Sequence, residues 1–436
     1  MEWWLAGSIV GVGLLTLLAS GMPIGFAAGV LGVVGLLITG KSIALFSIST
    51  WAYGTLADFI LIALPLFIFM AEVLAFTGLS DDLFDALDKW MGKLPGGLAV
   101  ASVGACAAFA ASSGSSTATA ATMGVITIPE MLKRGYNKSF CTGAVAAGGT
   151  LGILIPPSIA MIIYGIWVEQ SIGKLFVAGF IPGIMTAVMM MTFIVIAAAV
   201  RPTLAPRGES ARVTWGERFI ALFKVWPIVA VFLSIMGTIY FGIATPTEAA
   251  AIGVVVVLAF AAFRRKLTLH NLSQALLGAV RLSVFILMLI IGMTILAYLL
   301  TTLRIPQELS AWVVGLGLSK WGVIWAMIAT YFVMGMFLDV IGMLMLTLPI
   351  FFPIAMALGF DPIWYGIMLV LNMEVALLTP PVGLNVYVLK GVVDPFGVRV
   401  EDIFKGVVPF VAILLISMVL LQIWPEIALW LPSTMQ

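Results

Sequence analysis

The sequence predicts an all-α polytopic membrane protein, because its composition and the length of its apolar runs both point to that class. Hydrophobic residues make up 62% of the 436-residue chain and charged residues only 9%, and the mean hydropathy is +1.19. A soluble domain averages about 25% charged residues, so the chain lies well outside that class. Apolar runs of about 18 residues or more recur from one end to the other, as membrane-spanning helices require.

The same composition argues against several other classes. A net charge of +1 offers no basic surface for nucleic acid, and no Gly-rich phosphate loop follows a strand pattern. The first residues lack the basic region of a secretory signal, so we expect a retained first helix, anchored at the membrane interface by Trp3 and Trp4. Cys106 and Cys141 lack metal-ligand spacing and are expected to be packing residues.

Ten segments have the length and composition of membrane crossings: 3–20, 22–39, 56–78, 139–168, 175–200, 223–242, 246–263, 276–301, 363–389 and 405–424. Two further segments, 94–132 and 321–356, are too long for one crossing. A straight helix over the first of them would measure about 58 Å, against a hydrocarbon core of about 30 Å.

Both long segments are predicted to be re-entrant helical hairpins. The middle of the first reads ASSGSSTATA (111–120), which is small and polar, and the second carries GMFLDVIGM (335–343) at its middle. A hairpin whose tip is buried at mid-membrane, or faces a water-filled cavity, keeps such residues away from lipid. The alternative is a tilted span followed by a surface helix.

An internal repeat supports the hairpins. Sliding the chain by 224 residues places ITIPEMLKRGYNK (126–138) on IFFPIAMALGFDP (350–362) without a gap. Prolines coincide at this offset in three places: Pro129 with Pro353, Pro156 with Pro380, and Pro157 with Pro381. Composition alone predicts roughly 0.07 proline matches over the 32 aligned positions. Each half therefore contains a hairpin, a short turn and a helix broken at a proline pair.

The repeats divide the chain into successive segments: 1–55 with N-terminal scaffold helices, 56–200 with the first repeat, 201–275 with connecting loops and scaffold helices, 276–424 with the second repeat, and 425–436 as a C-terminal tail. The first repeat holds hairpin 94–132 and broken helix 139–168. The second holds hairpin 321–356 and broken helix 363–389.

Basic residues indicate how the two halves are oriented. Of the 21 Lys and Arg residues, 17 lie in five loops: 80–97, 132–138, 201–224, 264–281 and 389–405. If the predicted spans cross the membrane in chain order, and each hairpin enters and leaves on the same side, all five loops lie on one face of the membrane. The positive-inside rule makes that face cytoplasmic and puts both termini outside. The turn KRGYNK (133–138) is then inside and its repeat partner ALGFDP (357–362) outside, an inverted arrangement typical of secondary transporters.

Each proline pair predicts an interrupted helix in the middle of the membrane. An unwound stretch there is costly unless something uses the freed main-chain groups. The half-helix before Pro156 presents carbonyl oxygens, which suit Na⁺, and the half-helix after Pro157 presents N–H groups, which suit an anion. Two such pairs predict two cation sites related by pseudo-symmetry, with an anion site between them. The alternative is that the prolines merely kink packing helices.

Motifs in both halves resemble those of one family. GGTLGILIPPS (148–158), SSGSSTATAATMG (112–124) and NMEVALLTPPVGLN (372–385) are similar to signatures of the large membrane subunit of tripartite ATP-independent periplasmic (TRAP) transporters. The resemblance covers essentially the whole chain. It implies a bacterial inner-membrane transporter with an elevator mechanism, in which a transport domain holding both hairpins slides against a scaffold. It also implies Na⁺-coupled uptake of an organic acid, with a periplasmic substrate-binding protein and a small four-helix membrane subunit as partners.

The resemblance further implies ligands, mostly through backbone carbonyl groups. One Na⁺ site is expected to use Ser113, Gly152, Ile155 and Pro156, although Ser112, Ser115 and Ser116 are alternatives to Ser113 at the tip. The second is expected to use Gly335, Ala376, Thr379 and Val382. The family often has glycine where this chain has Ala376, and Thr379 adds a hydroxyl group. The substrate is expected to contact Ser116, Thr117, Ser158 and Asn385.

Other polar residues within the spans have alternative roles. For Glu374 and Asn372, which precede the second break, bracing of the unwound chain competes with contact to substrate or a proton. Asp339, at the second tip, either compensates cation charge or caps a half-helix. Glu72 and Glu248 are expected in the scaffold or at an interface.

The nearest alternative function is a stand-alone Na⁺/anion carrier of similar architecture, which needs no partner chain. An enzyme is not expected, because the sole histidine, His270, is predicted to lie in a basic loop and no Ser–Lys pair lies within a span. A channel is a third possibility, which accumulation of substrate against its gradient would exclude. No cofactor is expected besides Na⁺ as the coupling ion. Sialic acids, C4-dicarboxylates, other sugar acids and keto acids all present a suitable carboxylate.

Overall fold

The computed structural model describes residues 2–40, 43–206, 213–335 and 338–435, and its regular elements over these ranges are all helical. The helices up to the end of the first repeat are α1 (Trp3–Ala19), α2 (Ile24–Ile38), α3 (Ile43–Leu56), α4 (Ala63–Ala75), α5 (Leu79–Met91), α6 (Gly97–Ser113), α7 (Ser116–Lys133), α8 (Lys138–Thr150), α9 (Ile159–Trp167) and α10 (Ile172–Val200). The remaining helices are α11 (Trp215–Lys224), α12 (Trp226–Tyr240), α13 (Pro246–Phe263), α14 (Leu269–Thr302), α15 (Ile305–Gly315), α16 (Lys320–Met334), α17 (Val340–Ala357), α18 (Pro362–Leu378), α19 (Leu384–Val393), α20 (Val400–Ile423) and α21 (Glu426–Ser433).

The all-α polytopic membrane class is confirmed. Among the described helices, α10, α13, α14, α17 and α20 are each long and apolar enough to cross a membrane unbroken. Length alone does not identify a crossing, however, because α17 is one arm of a hairpin. The predicted spans 139–168 and 363–389 are each interrupted, the first between α8 and α9 and the second between α18 and α19.

Several helices lie where the hydropathy pattern predicts loops or a tail: α5 overlaps 80–97, α11 lies within 201–224, α15 between 301 and 321, and α21 within 425–436. α5 explains why, because it is amphipathic: it buries Leu79 and Leu83 and carries Asp81 and Asp82 in its first turn. Charged residues lower the mean hydropathy of such a helix, so a search for apolar runs passes over it. α11 packs on α5 through edge-on ring contacts, with Trp215 and Phe219 at 6.3 and 6.0 Å from Trp90.

The first long segment is a hairpin, as predicted. Near its base the Ser102 Oγ lies 3.9 Å from the Met131 Sδ, and near its tip the Ser113 and Thr119 hydroxyl groups lie 2.7 Å apart. α6 and α7 are therefore antiparallel neighbours, which excludes a tilted span followed by a surface helix. Gly114 makes the turn at φ +61°, a left-handed conformation that favours glycine.

The second long segment also folds back on itself. The Tyr331 hydroxyl of α16 bonds the Thr347 hydroxyl of α17, and the Tyr331 and Phe351 rings lie 5.5 Å apart. Asp339 caps α17 by accepting hydrogen bonds from the N–H groups of Ile341 and Gly342 at 3.2 and 3.3 Å. Of the predicted tip segment, residues 336 and 337 lie outside the described residues.

The two broken helices run in opposite directions, which confirms the inverted repeat. At the start of α8, the Lys138 ammonium donates to the Gly397 carbonyl oxygen, just beyond α19, at 3.0 Å. In α9, the Tyr164 hydroxyl donates to the carbonyl oxygen of Pro362, the first residue of α18, at 2.6 Å. The start of each broken helix thus lies beside the end of the other. The turns 133–138 and 357–362, which connect each hairpin to the broken helix that follows it, are consequently at opposite ends of the molecule.

Contacts join the basic segments into one surface, which we call the basic face. The linking contacts are Asp88 to Arg134 at 3.6 Å, Asp82 to Arg264, the Asn137 N–H to the Leu204 carbonyl at 2.9 Å, the Trp90 indole N–H to the Arg218 carbonyl at 3.2 Å, and Lys138 to Gly397 at 3.0 Å. These contacts connect all five basic segments that the sequence singles out. The α6–α7 hairpin has its open end at this face, where α6 begins and α7 ends.

Close glycine contacts join two pairs of helices. In one pair α2 lies along α14, where a Cβ at Gly292 would overlap the Gly25 main chain. In the other, α8 crosses α20, where a Cβ at Gly143 would overlap Gly406. Small residues let two helix backbones approach closely inside a membrane, where packing and not water exclusion drives association.

We expect Gly406→Ala to destabilise the protein by roughly 1–3 kcal/mol, the usual cost of overpacking a tight contact, because the methyl group would overlap the Ser139 carbonyl oxygen. Gly237→Ala in α12 is the matched control, since nothing lies within 4 Å of its added Cβ. Thermal unfolding of both purified variants in one detergent measures the difference. Equal melting temperatures would contradict the tight crossing of α8 and α20.

Candidate functional site

The first break is a buried, unwound stretch between α8 and α9. After Thr150 the chain makes a 3-10 turn, Leu151–Ile153, and resumes as a helix only at Ile159. Residues 151–158 are all buried. Ser158 stabilises the break, since its hydroxyl donates to the Ile153 carbonyl oxygen at 2.5 Å and accepts from the Met161 N–H at 3.4 Å.

The tip of the α6–α7 hairpin docks on this break. The Ile159 N–H donates to the Gly114 carbonyl oxygen at 3.4 Å. A Cβ at Gly152 would lie 2.5 Å from the Ser115 carbonyl oxygen and 2.9 Å from the Thr119 hydroxyl. Thr119 also contacts Ser113 at 2.7 Å, so it links the tip serine to the unwound glycine. A compact group of oxygens results, buried where α6 ends.

The second break is built in the same way at the end of α18. A Cβ at Gly335, just past α16, would overlap Ala376 of α18. The Ala376 carbonyl oxygen accepts from the Thr379 N–H at 3.3 Å and from the Thr379 hydroxyl at 3.1 Å. The Thr379 hydroxyl therefore keeps its lone pairs free to act as a ligand. Val382 follows in the same break, but its side chain is 38% exposed.

Four helices begin at one cavity of about 370 Å³ between the two tips. The lining residues from their first turns are Ser116 and Thr117 of α7, Ile159 and Ala160 of α9, Val340 and Ile341 of α17, and Leu384 of α19. The first N–H groups of a helix have no intrahelical partner and form the positive end of its dipole. Four such ends around one cavity make it suited to an anion.

The remaining wall of this cavity is α14, which contributes Leu282, Phe285 and Ile286. α14 packs closely on α2. The cavity therefore lies between α14 and the four helix starts. It can hold a small organic molecule whose charged end faces the helix starts and whose other groups face apolar side chains.

Comparison with known proteins assigns the chain to a family. Residues 12–427 match the family model described as "Tripartite ATP-independent periplasmic transporter, DctM component". The chain is 38% identical to a C4-dicarboxylate TRAP transporter large permease protein of Pseudomonas aeruginosa, covering 89% of each chain. It is 30% identical to a sialic acid TRAP transporter large permease protein of Vibrio cholerae, covering 98% of each. The chain belongs to the TRAP large permease family.

The fold of this TRAP permease also resembles that of a solved transporter from Alcanivorax borkumensis, YdaH. The TM-score is 0.58 with 13% sequence identity, and the match covers 90% of each chain. At that identity the likeness concerns the fold alone. It agrees with the polytopic arrangement of inverted repeats derived above.

The permease brings together some, but not all, of the residues predicted for each cation site. Ser113 and Gly152 meet through Thr119, and Gly335, Ala376 and Thr379 are adjacent. Ile155 turns its side chain onto Gly183 of α10, so that only its main chain can face the first site. Thr119 is a buried hydroxyl beside these residues that the sequence analysis missed. The only signal for it is its place in the polar run 111–120.

The residues predicted to contact substrate fall into two layers. Ser116 and Thr117 line the central cavity. Ser158 and Asn385 are fully buried behind it. The Asn385 side-chain amide donates to the Ser116 hydroxyl at 2.8 Å and to the Ala146 carbonyl oxygen at 3.3 Å. Asn385 thus ties the hairpin tip to α8.

The acidic residues near the breaks differ in their surroundings. Asp339 lines the central cavity and caps α17, which confirms the capping role. Glu374 is fully buried near Thr150, yet the Thr150 hydroxyl donates to the Ala147 carbonyl oxygen instead. Within the described residues neither carboxyl oxygen of Glu374 has a hydrogen-bond partner. The structure therefore shows no bracing bond from Glu374 to the unwound chain.

Ser158→Ala is expected to destabilise the permease more than Ser171→Ala. Both serines cap helices, at about 1 kcal/mol each, by accepting from Met161 and Lys174 N–H groups at 3.4 and 3.3 Å. Of the two, only Ser158 is fully buried, and its hydroxyl also donates to the Ile153 carbonyl oxygen. Leaving that buried carbonyl oxygen without its donor costs about 1–3 kcal/mol more. Thermal unfolding of the two variants compares them. A larger loss for Ser171→Ala would show that the Ser158 bond does not hold the break.

Proposed function

We propose that the chain takes up an organic acid by secondary active transport coupled to Na⁺. The observation that carries the proposal is the convergence of four helix N-termini on one cavity between the hairpin tips. A carboxylate held there lies at the positive ends of four helix dipoles, which compensate for its lost hydration. Membership of the TRAP large permease family supports transport as the activity.

Na⁺ binds, in this proposal, at the helix ends that present carbonyl groups. The first site uses Ser113, Gly152, Ile155 and Pro156, with Thr119 added by the structure. The second uses Gly335, Ala376, Thr379 and Val382. Oxygen ligands of this kind suit a hard cation, and unwound carbonyls in transporters coordinate coupling ions.

The first hairpin tip accounts for the coupling between Na⁺ and the anionic substrate in this proposal. Ser113 ends α6 and Ser116 begins α7, with two residues between them. A cation at the first site fixes the tip, and the same tip carries Ser116 and Thr117 of the anion cavity. Asn385 and Ser158 act as positioning residues, holding Ser116 and the first turn of α9. The cations also offset the charge of the anion, which a low-dielectric interior would otherwise disfavour.

Transport is proposed to follow an elevator mechanism. The scaffold is the group around α2 and α14, and the transport domain contains both hairpins and both broken helices. The anion cavity lies between them, so that sliding of one body against the other carries the site across the membrane. Motion of a rigid body keeps the helix ends around the substrate unchanged, whereas local opening would break the tip contacts.

Two partner chains complete the proposed system. The family description names this chain as one component of a tripartite periplasmic transporter. We propose a small four-helix membrane subunit that extends the scaffold and a periplasmic binding protein that delivers the substrate. Relatives named for C4-dicarboxylates and for sialic acid favour an organic acid as the substrate. Family membership favours this system over a stand-alone Na⁺/anion carrier.

Uptake by proteoliposomes tests the function. The chain, its small subunit and its binding protein are reconstituted together, with labelled succinate and labelled sialic acid as probes. We expect accumulation of one probe under an inward Na⁺ gradient, and none when choline replaces Na⁺ or when the binding protein is omitted. Accumulation without the binding protein would favour the stand-alone carrier, and accumulation in choline would refute Na⁺ coupling.

Thr379→Val should raise the Na⁺ concentration required for half-maximal uptake by roughly tenfold, since a hydrogen bond or ligand contact of about 1.4 kcal/mol corresponds to that factor. Folding should be disturbed less than Na⁺ dependence, because valine matches threonine in shape and the Ala376 carbonyl oxygen keeps the N–H of residue 379 as a donor. Thr379→Ser keeps the hydroxyl and is the matched control. Unchanged Na⁺ dependence in the valine variant would remove Thr379 from the second site.

The basic face is proposed to be cytoplasmic and both termini periplasmic, because cytoplasmic loops carry the excess of Lys and Arg. Single cysteines at Lys133 and Ala357 test this in intact cells. Both residues are exposed and begin the turns that follow the two hairpins. We expect an impermeant maleimide to label Ala357→Cys and to label Lys133→Cys only after lysis. The reverse pattern would invert the orientation.

A further inference from the structure

Cavities follow α14 from one side of the protein to the other. An outer cavity of about 390 Å³ lies at Ile290 and Thr294. The central anion cavity lies at Leu282, Phe285 and Ile286. An inner cavity of about 210 Å³ follows towards the basic face. The central and inner cavities share the lining residues Ser115, Ile159 and Leu282, so the space around the first hairpin tip continues towards the basic face.

Glu72 lines the inner cavity. It lies one turn before the end of α4 and packs across Gly278 of α14, where an added Cβ would be 2.8 Å from the carboxyl carbon. Only glycine leaves room for the carboxylate at that point. Within the described part of the chain Glu72 forms no ion pair or hydrogen bond. Arg281, one turn along α14 from Gly278, is exposed and likewise forms no ion pair among the described residues.

The wall opposite Glu72 is the first hairpin, and it carries hydroxyl groups. Ser113, Ser115 and Thr122 all line the inner cavity. Ser113 is also the tip residue of the first candidate cation site. A carboxylate and several hydroxyl oxygens thus face one another across the contact between scaffold and transport domain, with no positive group paired to the carboxylate among the described residues.

The acids at the membrane boundary are treated differently. Asp82, which follows α4 by only a few residues, is paired with Arg264, and Asp88 lies 3.6 Å from Arg134. An unpaired carboxylate within a span is expensive and persists where it serves a function. A structural anchor would have a fixed partner, whereas a group that receives a mobile ion must keep its oxygens free.

We propose that Glu72 binds Na⁺ transiently between the first cation site and the basic face, as a station on the release route. The assignment of the ion as Na⁺ rests on the proposed function. Oxygen ligands are available from the carboxylate on one wall and from the hydroxyl groups on the other. As the hairpin slides past α4, the fixed negative charge lowers the energy of a cation that has left Ser113.

Cysteine modification tests the station without a known substrate. Ala75→Cys places a thiol one turn from Glu72, at an exposed position that lines the same cavity, while native Cys106 and Cys141 are buried. Modification rates are measured with a cationic and an anionic methanethiosulfonate in the reconstituted complex. With Glu72 present the cationic reagent is favoured, and Glu72→Gln lowers that preference by at least about threefold, as loss of one nearby unit charge requires.

The decisive comparison is between the protection of the thiol by Na⁺ and by choline. Na⁺, but not choline at the same ionic strength, slows modification of the Ala75→Cys thiol when Glu72 is present, and the effect is lost in Glu72→Gln and retained in Glu72→Asp. Glu308→Gln, an exposed acid on α15 away from the cavity, is the control and behaves as the parent. Equal protection by Na⁺ in the parent and in Glu72→Gln overturns the station, as does equal protection by choline.

These outcomes are separable from a failure of Na⁺ coupling itself. Uptake that ignores Na⁺ in the parent protein refutes the proposed function. Na⁺-dependent uptake together with modification of the Ala75→Cys thiol that ignores Glu72 refutes the station alone.

Discussion

Main-chain groups at helix ends inside the membrane are the constraint on which this structure depends. Lipid offers no hydrogen bonds, so each interrupted helix must have its free N–H and C=O groups covered by protein or by a ligand. The chain covers part of them with side chains, as Ser115, Ser158 and Asp339 do at three helix starts. Four helix starts meet at the central cavity. In the proposed function, such helix ends become binding sites of opposite charge preference.

Small residues make this arrangement possible. The first tip can reach the first break only because Gly114 and Gly152 lack side chains where the two backbones meet. The same device holds each body together, with Gly143 against Gly406 in one and Gly25 against Gly292 in the other. In the proposed elevator mechanism the two bodies slide along α14, and three cavities lie along that helix.

Charge placement separates structural from functional acids. Several carboxylates near the basic face are paired with arginine or lysine, for example Asp82 with Arg264 and Asp85 with Lys89. Deeper carboxylates are capped by main-chain groups, as in Asp339, or have no partner among the described residues, as in Glu374 and Glu72. An unpaired acid in a low-dielectric interior attracts cations, which is the physical basis of the proposed station at Glu72.

The sequence by itself determined the class, the two hairpins, the two proline-broken helices and their inversion, because apolar length, proline register and loop charge are written along the chain. It did not reveal α5 and α11, whose charged faces hide them from a hydropathy search, or Thr119, which only the folded tip places between Ser113 and Gly152. Only the tertiary structure decided that Ser116 lines the cavity while Ser158 and Asn385 lie behind it. The direction of a side chain at a helix start depends on what packs against that helix, and local sequence does not specify those neighbours.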